Sequence, residues 1–284
     1  MKKIAMKARA WLKPAHALHA TKSPRHDALS RMRERAGVRV APFLIASLAL
    51  LAPPAHADDV STWLQAADRY RMSTDNMQID TQISVFNTDG SLDKERRYLV
   101  FAQADHRSLV LMQSPAEKGQ KLLMLGDDYW LLMPSSQRPL RITPMQKLLG
   151  DASSGDIATL SWAGDYSATL TGTEPCGEPE QRCRHLSLVA NRKSVSYQRI
   201  ELWVGLAHGE PVRAELYVQS DKLAKLARFI VDQPNAPTKV VDMLLRDQLT
   251  NKKETRVRYL DRQQRSVPEA WLNPMFLARN PALE

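Results

Sequence analysis

Residues 127–156 read DDYWLLMPSSQRPLRITPMQKLLGDASSGD, and the fold turns on how this stretch is read. Tyr129, Trp130, Leu131, Leu132 and Met133 follow one another without a charged residue. Successive side chains of a strand point to opposite faces, so a strand here is apolar on both. Pro134, Ser135 and Ser136 then turn the chain, and residues 138–142 (RPLRI) read as a short returning strand. A brief helix-like run over residues 145–149 is stopped by Gly150, and residues 151–156 form a polar loop. In a chain with 25% charged residues, a strand apolar on both faces demands apolar matter on each side. That matter is either core or cargo.

Working outward, strands dominate. Residues 121–125 and 128–133 pair around Gly126-Asp127. Residues 94–104 and 107–113 are separated only by Asp105-His106, a tight turn. Residues 78–86 end at Asn87-Thr88-Asp89-Gly90, a hairpin signal. Further on, Ile200, Leu202 and Val204 oppose Glu201 and Trp203, and Val212, Ala214, Leu216 and Val218 oppose Arg213, Glu215 and Tyr217. Leu186, Leu188 and Ala190 alternate in the same way, as do Val257 and Tyr259. Such strands line an interior on one side and meet water on the other. Residues 223–231 and 240–249 fit strand or helix, and an antiparallel meander favours strand for much of both. Helical spacing of Trp63, Leu64, Ala67 and Tyr70 predicts an amphipathic helix over residues 60–72. Residues 268–277 predict a terminal apolar helix interrupted by Pro274. At least nine strands without long intervening helices point to an open barrel or a strongly curved sheet.

With the strands laid out, the opening stretch resembles the signature of the LolA-like outer-membrane lipoprotein-sorting proteins. The residues that carry the resemblance are Tyr129, Trp130, Pro134, Arg138, Pro139, Arg141, Ile142, Gly150, Asp151, Ser153, Gly155 and Asp156. The strand pattern extends it over residues 60–265. The resemblance implies a mainly β fold: a single curved antiparallel sheet, an open half-barrel wrapped around an apolar cavity, with helical lid elements, in the bacterial periplasm.

The front of the chain agrees with export. Residues 41–52 (APFLIASLALLA) follow Arg31, Arg33, Arg35 and Arg39 and precede Ala55-His56-Ala57. A basic region, about a dozen apolar residues and an A-x-A site describe a signal peptide, residues 1–57, cut before Asp58. The apolar run falls short of the ~20 residues that span a bilayer. Initiation at Met32 would leave a signal of ordinary length, so the true start is expected there. No Cys follows the cleavage site, which argues against a lipoprotein. Residues 1–57 hold 11 Lys+Arg and 2 Asp+Glu, a net of +9 that equals the net charge of the whole chain. Residues 58–284 therefore carry 29 of each sign. The basic pI belongs to the leader, and the main argument for nucleic-acid binding goes with it.

Residues 58–284 make one large all-β domain, with no linker, acidic tract or repeat to divide them. Cys176 and Cys183 are the only cysteines, separated by turn formers including Gly177 and Pro179. In an exported chain they predict a disulfide closing a hairpin, stabilising by about 2.5 kcal/mol. Neither a C-x-x-C redox motif nor a zinc ligand set is present, the histidines past residue 57 being the scattered His106, His185 and His208.

No catalytic motif emerges: no G-x-S-x-G, Walker A, G-x-G-x-x-G or H-E-x-x-H. Ser153 and Ser154 lie near Asp151 and Asp156 but without a nearby His, so a hydrogen-bonded loop is the simpler reading. Arg138 and Arg141 either meet an anionic group at a cavity mouth or pair with carboxylates such as Asp127 or Asp128. Met and Leu side chains, clustered between Met112 and Met145, suit cargo of indefinite shape, although an ordinary core is equally rich in them.

The expectation is a carrier without catalysis or cofactor. Acyl chains cost about 0.8 kcal/mol per exposed CH₂, so a lipid or lipoprotein anchor needs an escort across water. The pocket residues expected from the opening stretch are Leu123, Leu125, Trp130 and Leu132, with Arg141 at the rim; which face of the strand is inward stays open. The resemblance implies an RND-like or ABC-type inner-membrane transporter as donor and the outer membrane as acceptor. The alternative is a periplasmic lipid or lipoprotein sensor that regulates an envelope-stress pathway through protein contacts.

Overall fold

The computed structural model describes residues 57–72, 76–136, 138–143, 156, 161–177, 181–250 and 252–279. Among the described residues helix α1 (Ala57–Arg71) leads into thirteen strands. They are β1 (Met77–Phe86), β2 (Leu92–Gln103), β3 (Arg107–Met112), β4 (Lys121–Leu125), β5 (Asp128–Leu132), β6 (Leu140–Ile142), β7 (Tyr166–Pro175), β8 (Arg182–Ala190), β9 (Arg199–Gly205), β10 (Pro211–Tyr217), β11 (Leu223–Val231), β12 (Val240–Asp247) and β13 (Glu254–Gln264). Two short 3₁₀ helices, Glu269–Leu272 and Pro274–Phe276, end the described chain. Among the described residues no helix is long and apolar enough to cross a membrane.

All thirteen strands form one sheet in the order β6-β5-β4-β3-β2-β1-β13-β12-β11-β10-β9-β8-β7, each neighbouring pair antiparallel. Consecutive strands β6 and β7 thus stand at the two ends of that order. The sheet curls. Arg192, after β8, reaches Asp127 between β4 and β5 at 2.6 Å, although nine strand spacings separate them, about 43 Å on a flat sheet. Asp165, just before β7, likewise meets His106 of the β2–β3 turn at 3.5 Å. The edges approach at this end without pairing, so the sheet is an open curve and not a closed barrel.

The turns follow from local chemistry. Asp105 and His106 both adopt positive φ (58° and 55°) in the three-residue connection that the pairing of Gln103 with Arg107 leaves between β2 and β3. Of the segments that fit strand or helix, residues 223–231 and 240–249, the first is strand throughout and the second as far as Asp247, each pairing on both sides. Val212 departs from its expected face: the register shifts between Pro211 and Arg213, and Val212 packs with Cys176, Cys183 and Trp203. A disulfide joins Cys176 and Cys183 at the end of the β7–β8 hairpin. The short helix expected at residues 145–149 and most of the polar loop after it lie outside the described residues.

Two apolar clusters sit on opposite faces. The larger draws on strands from Tyr129 of β5 round to Leu186 and Leu188 of β8, and α1 covers it with Val60, Leu64 and Ala67. The smaller, on the outer face of β2 to β5, holds Phe101, Leu109, Leu111, Leu123 and Leu132 under Val267, Trp271, Leu272 and Leu277. The terminal segment is not a helix broken by Pro274 but two 3₁₀ turns, with Asn273 extended between them (φ −122°, ψ 125°). The residue before a proline is pushed out of the helical region, and Asn273 obeys.

Candidate functional site

The inner face builds a site between α1, the residues preceding β7, and strands β9 to β12. Arg71 and Asp68 occupy the last turn of α1. The Asp68 carboxylate accepts the Trp162 N–H (2.8 Å), the Ala163 N–H (2.6 Å) and the Ser161 hydroxyl (2.8 Å), and stands 3.8 Å from the Arg71 guanidinium. Burial still pushes its pKa up, against the lowering by Arg71 and these hydrogen bonds. The Arg71 guanidinium lies 4.0 Å from the centre of the Trp162 ring. Trp162 in turn meets Phe229 of β11 edge-on, 5.6 Å between centres. One carboxylate and one indole therefore tie α1 to the sheet's inner face.

A second polar cluster lies beside it. The Tyr197 hydroxyl donates to Asp156 at 2.6 Å, and the Lys225 ammonium donates to the other oxygen of the same carboxylate. Both charged side chains are buried, 6% and 3% exposed. The Tyr166 hydroxyl donates to the Tyr197 carbonyl at 2.9 Å, and burial pushes that phenol far above its ordinary pKa.

Between the clusters is a cavity of about 40 Å³, lined by Arg71, Asp156, Trp162, Tyr166, Ser196, Tyr197, Ile200, Leu216, Ala227, Phe229, Met243 and Leu245. It holds at most a few waters, since one needs roughly 10–15 Å³, and is far below the ~300–1,000 Å³ of a ligand pocket. Its lining is mostly apolar, with Arg71 and Asp156 as its charged members.

The residues that sequence singled out come together elsewhere. Leu123, Leu125, Trp130 and Leu132 all belong to the smaller cluster on the outer face, where Lys121 also donates to the carbonyls of Leu277 (2.8 Å) and Arg279 (3.0 Å). Arg141 is exposed, pairs with Asp128 and lies 6.0 Å from the Trp130 ring centre. Arg141 thus has the carboxylate partner Asp128, one of the two expected. The inward residues of the same strands are Leu122, Met124 and Tyr129. Sequence reasoning missed Asp68, Arg71, Trp162, Tyr197 and Lys225. The signal was present for Lys225 alone, a charge on the apolar face of β11 in line with Ala227 and Phe229.

A family model described as an uncharacterized protein matches residues 104–279. The structure is similar to a LolA superfamily protein from Nitrosomonas europaea, with TM-score 0.67 and 29% identity, covering 75% of this chain and 97% of that one. It shares its fold with a domain described as outer membrane lipoprotein-sorting from Vibrio parahaemolyticus (TM-score 0.63, 18% identity, 79% and 100% covered). A DUF1329 family protein from Desulfovibrio piger is a further match in fold (TM-score 0.60, 20% identity, 75% and 97% covered). No curated protein matches the chain.

Proposed function

This chain belongs to the LolA-like proteins, and from that premise we propose that it is a periplasmic carrier for the acyl chains of a lipid or lipoprotein. The observation that carries the reading is the inner face itself. It is apolar across strands from β5 to β8, curled on itself, and covered by a helix held through one buried carboxylate. A concave apolar face in an open sheet replaces the solvent that an acyl chain lacks in water, at about 0.8 kcal/mol per CH₂. The cargo enters by displacing the Trp162 and α1 side chains that fill the space, and leaves when they return. Refilling by the protein's own side chains keeps affinity moderate, as onward transfer requires. The leader is removed before Asp58, the donor is an inner-membrane transporter and the acceptor is the outer membrane.

Native mass spectrometry of the form purified from a periplasmic extract tests this, with extraction of whatever lipid is bound. The expected species begins at Asp58, keeps one disulfide and carries a lipid. A bare mass that acquires no lipid from membranes overturns the carrier reading.

A further inference from the structure

We propose that the inner cavity takes an anionic lipid, whose carboxylate or phosphate replaces the Asp156 carboxylate on Lys225 and Tyr197. The inference rests on the carrier reading and names the chemical class of its cargo. Lys225 is on the inner face of β11, opposite Leu216 of β10 in register, on the same face as Ala227 and Phe229, which line the cavity. Asp156 comes from neither the sheet nor α1; it belongs to the connection between the edge strands β6 and β7. The carboxylate nearest by strand register, Asp247, accepts from the Leu249 and Thr250 amides and the Thr250 hydroxyl of its own turn. Lys225 is thus matched by a group from outside the sheet.

The space present is too small for an acyl chain, so cargo must displace part of the lining. If a neutral lipid displaces Asp156, Lys225 is left as a buried cation without its counter-charge, which is strongly unfavourable. An anionic head group at the same place restores the pair and accepts the Tyr197 hydroxyl as Asp156 does. Its tail then lies on Ile200, Leu216, Phe229 and Met243. Arg71 supplies a cation in the cavity wall itself, while Asp68 keeps the Trp162 and Ala163 amides. The Asp156 carboxylate is in this sense an internal stand-in for the head group.

Calorimetric titration of the delipidated full chain tests it, with oleate, oleyl alcohol, a short-chain phosphatidate, the matching diacylglycerol and inorganic phosphate. Oleate or phosphatidate is expected to bind at least tenfold more tightly than its neutral counterpart. Preference for oleate assigns a carboxylate head, and preference for phosphatidate a phosphate. Asp156→Asn removes the internal competitor and tightens the anionic lipid several-fold. The double variant Lys225→Met with Asp156→Asn removes both charges, so that it folds without an orphaned ion, and loses the preference while still binding oleyl alcohol. Equal binding of charged and neutral lipids overturns the inference and leaves the carrier reading standing, as does a preference that survives in the double variant. Inorganic phosphate binding as tightly as the lipids reduces the site to a bare ion site and overturns it. Binding of no lipid at all overturns the carrier reading and this inference together.

Discussion

Asp68 illustrates how a single residue decides the state of the inner face. It sits between Ala67 and Arg69 on a helix whose apolar positions were plain from spacing, yet nothing in the sequence marks it as buried. Its burial depends on Ser161, Trp162 and Ala163, almost a hundred residues away, arriving with three donors. Contacts of that sequence separation leave no local trace. Asp68→Ala strands the Trp162 and Ala163 amides at ~1–3 kcal/mol each, so chemical denaturation should show a loss of about 3 kcal/mol. The carboxyl also has a pH signature. Its folded pKa lies above the ordinary carboxylate value of 3.8, so the folded state holds the proton more tightly than the unfolded chain. The associated stability is complete below pH 3.8 and is lost as pH rises through the folded value. The stability of the native chain minus that of Asp68→Asn should therefore fall across that window and then level off; a difference that rises there contradicts the assignment.

At the scale of elements, strand existence was legible and facing was not. Period-two alternation and turn chemistry placed β1 to β5 and β9 to β12 within about two residues at their ends, while β8 and β13 were marked only by Leu186, Leu188 and Ala190 and by Val257 and Tyr259. The run at residues 129–133 could not declare an inner face, because it is apolar on both, and the choice of Leu123, Leu125, Trp130 and Leu132 fell on the side that the terminal segment covers. That segment lies 135 residues or more further on, so its docking is a tertiary fact. It seals a second apolar surface: Trp271 meets Phe101 edge-on at 5.7 Å, and Arg107 binds both oxygens of Glu269 (2.8 and 2.9 Å). Lys121 anchors its far end, with burial lowering the ammonium's pKa. Trp271→Ala removes the central wedge and should cost about 3–5 kcal/mol. Hydrogen exchange should then quicken in β2 to β5 and leave β9 to β12 near native rates. Uniform quickening would mean that the two faces do not behave as separate packing units.

At the scale of the molecule, two features govern cargo entry: the ionic closure of the curled sheet and the helix over its inner face. Arg192 pairs with Asp127 and with the buried Asp165. Arg192→Ala leaves Asp165, among the described residues, with the weaker His106 contact at 3.5 Å, and should cost about 2 kcal/mol, less than the ~3–5 of a fully buried pair because Arg192 is itself part-exposed. Adding Asp165→Asn should recover more than half of that loss in a double-mutant cycle. The helix offers a sharper test. A side chain at Gly209, in the β9–β10 turn, would place its Cβ 3.6 Å from that of Ala66 in α1, within the ~3.5–4.5 Å of a disulfide. Gly209 has φ +76°, so substitution there costs roughly 1–2 kcal/mol, which the cross-link's constraint offsets. The pair Ala66→Cys with Gly209→Cys fastens α1 to the sheet without touching the cavity wall. If cargo must displace α1, the oxidised variant should take up lipid at least tenfold more slowly than the same protein after mild reduction, with native helix and strand content in both. Equal uptake in the two states would mean that cargo enters without displacing α1, which is then a fixed part of the wall.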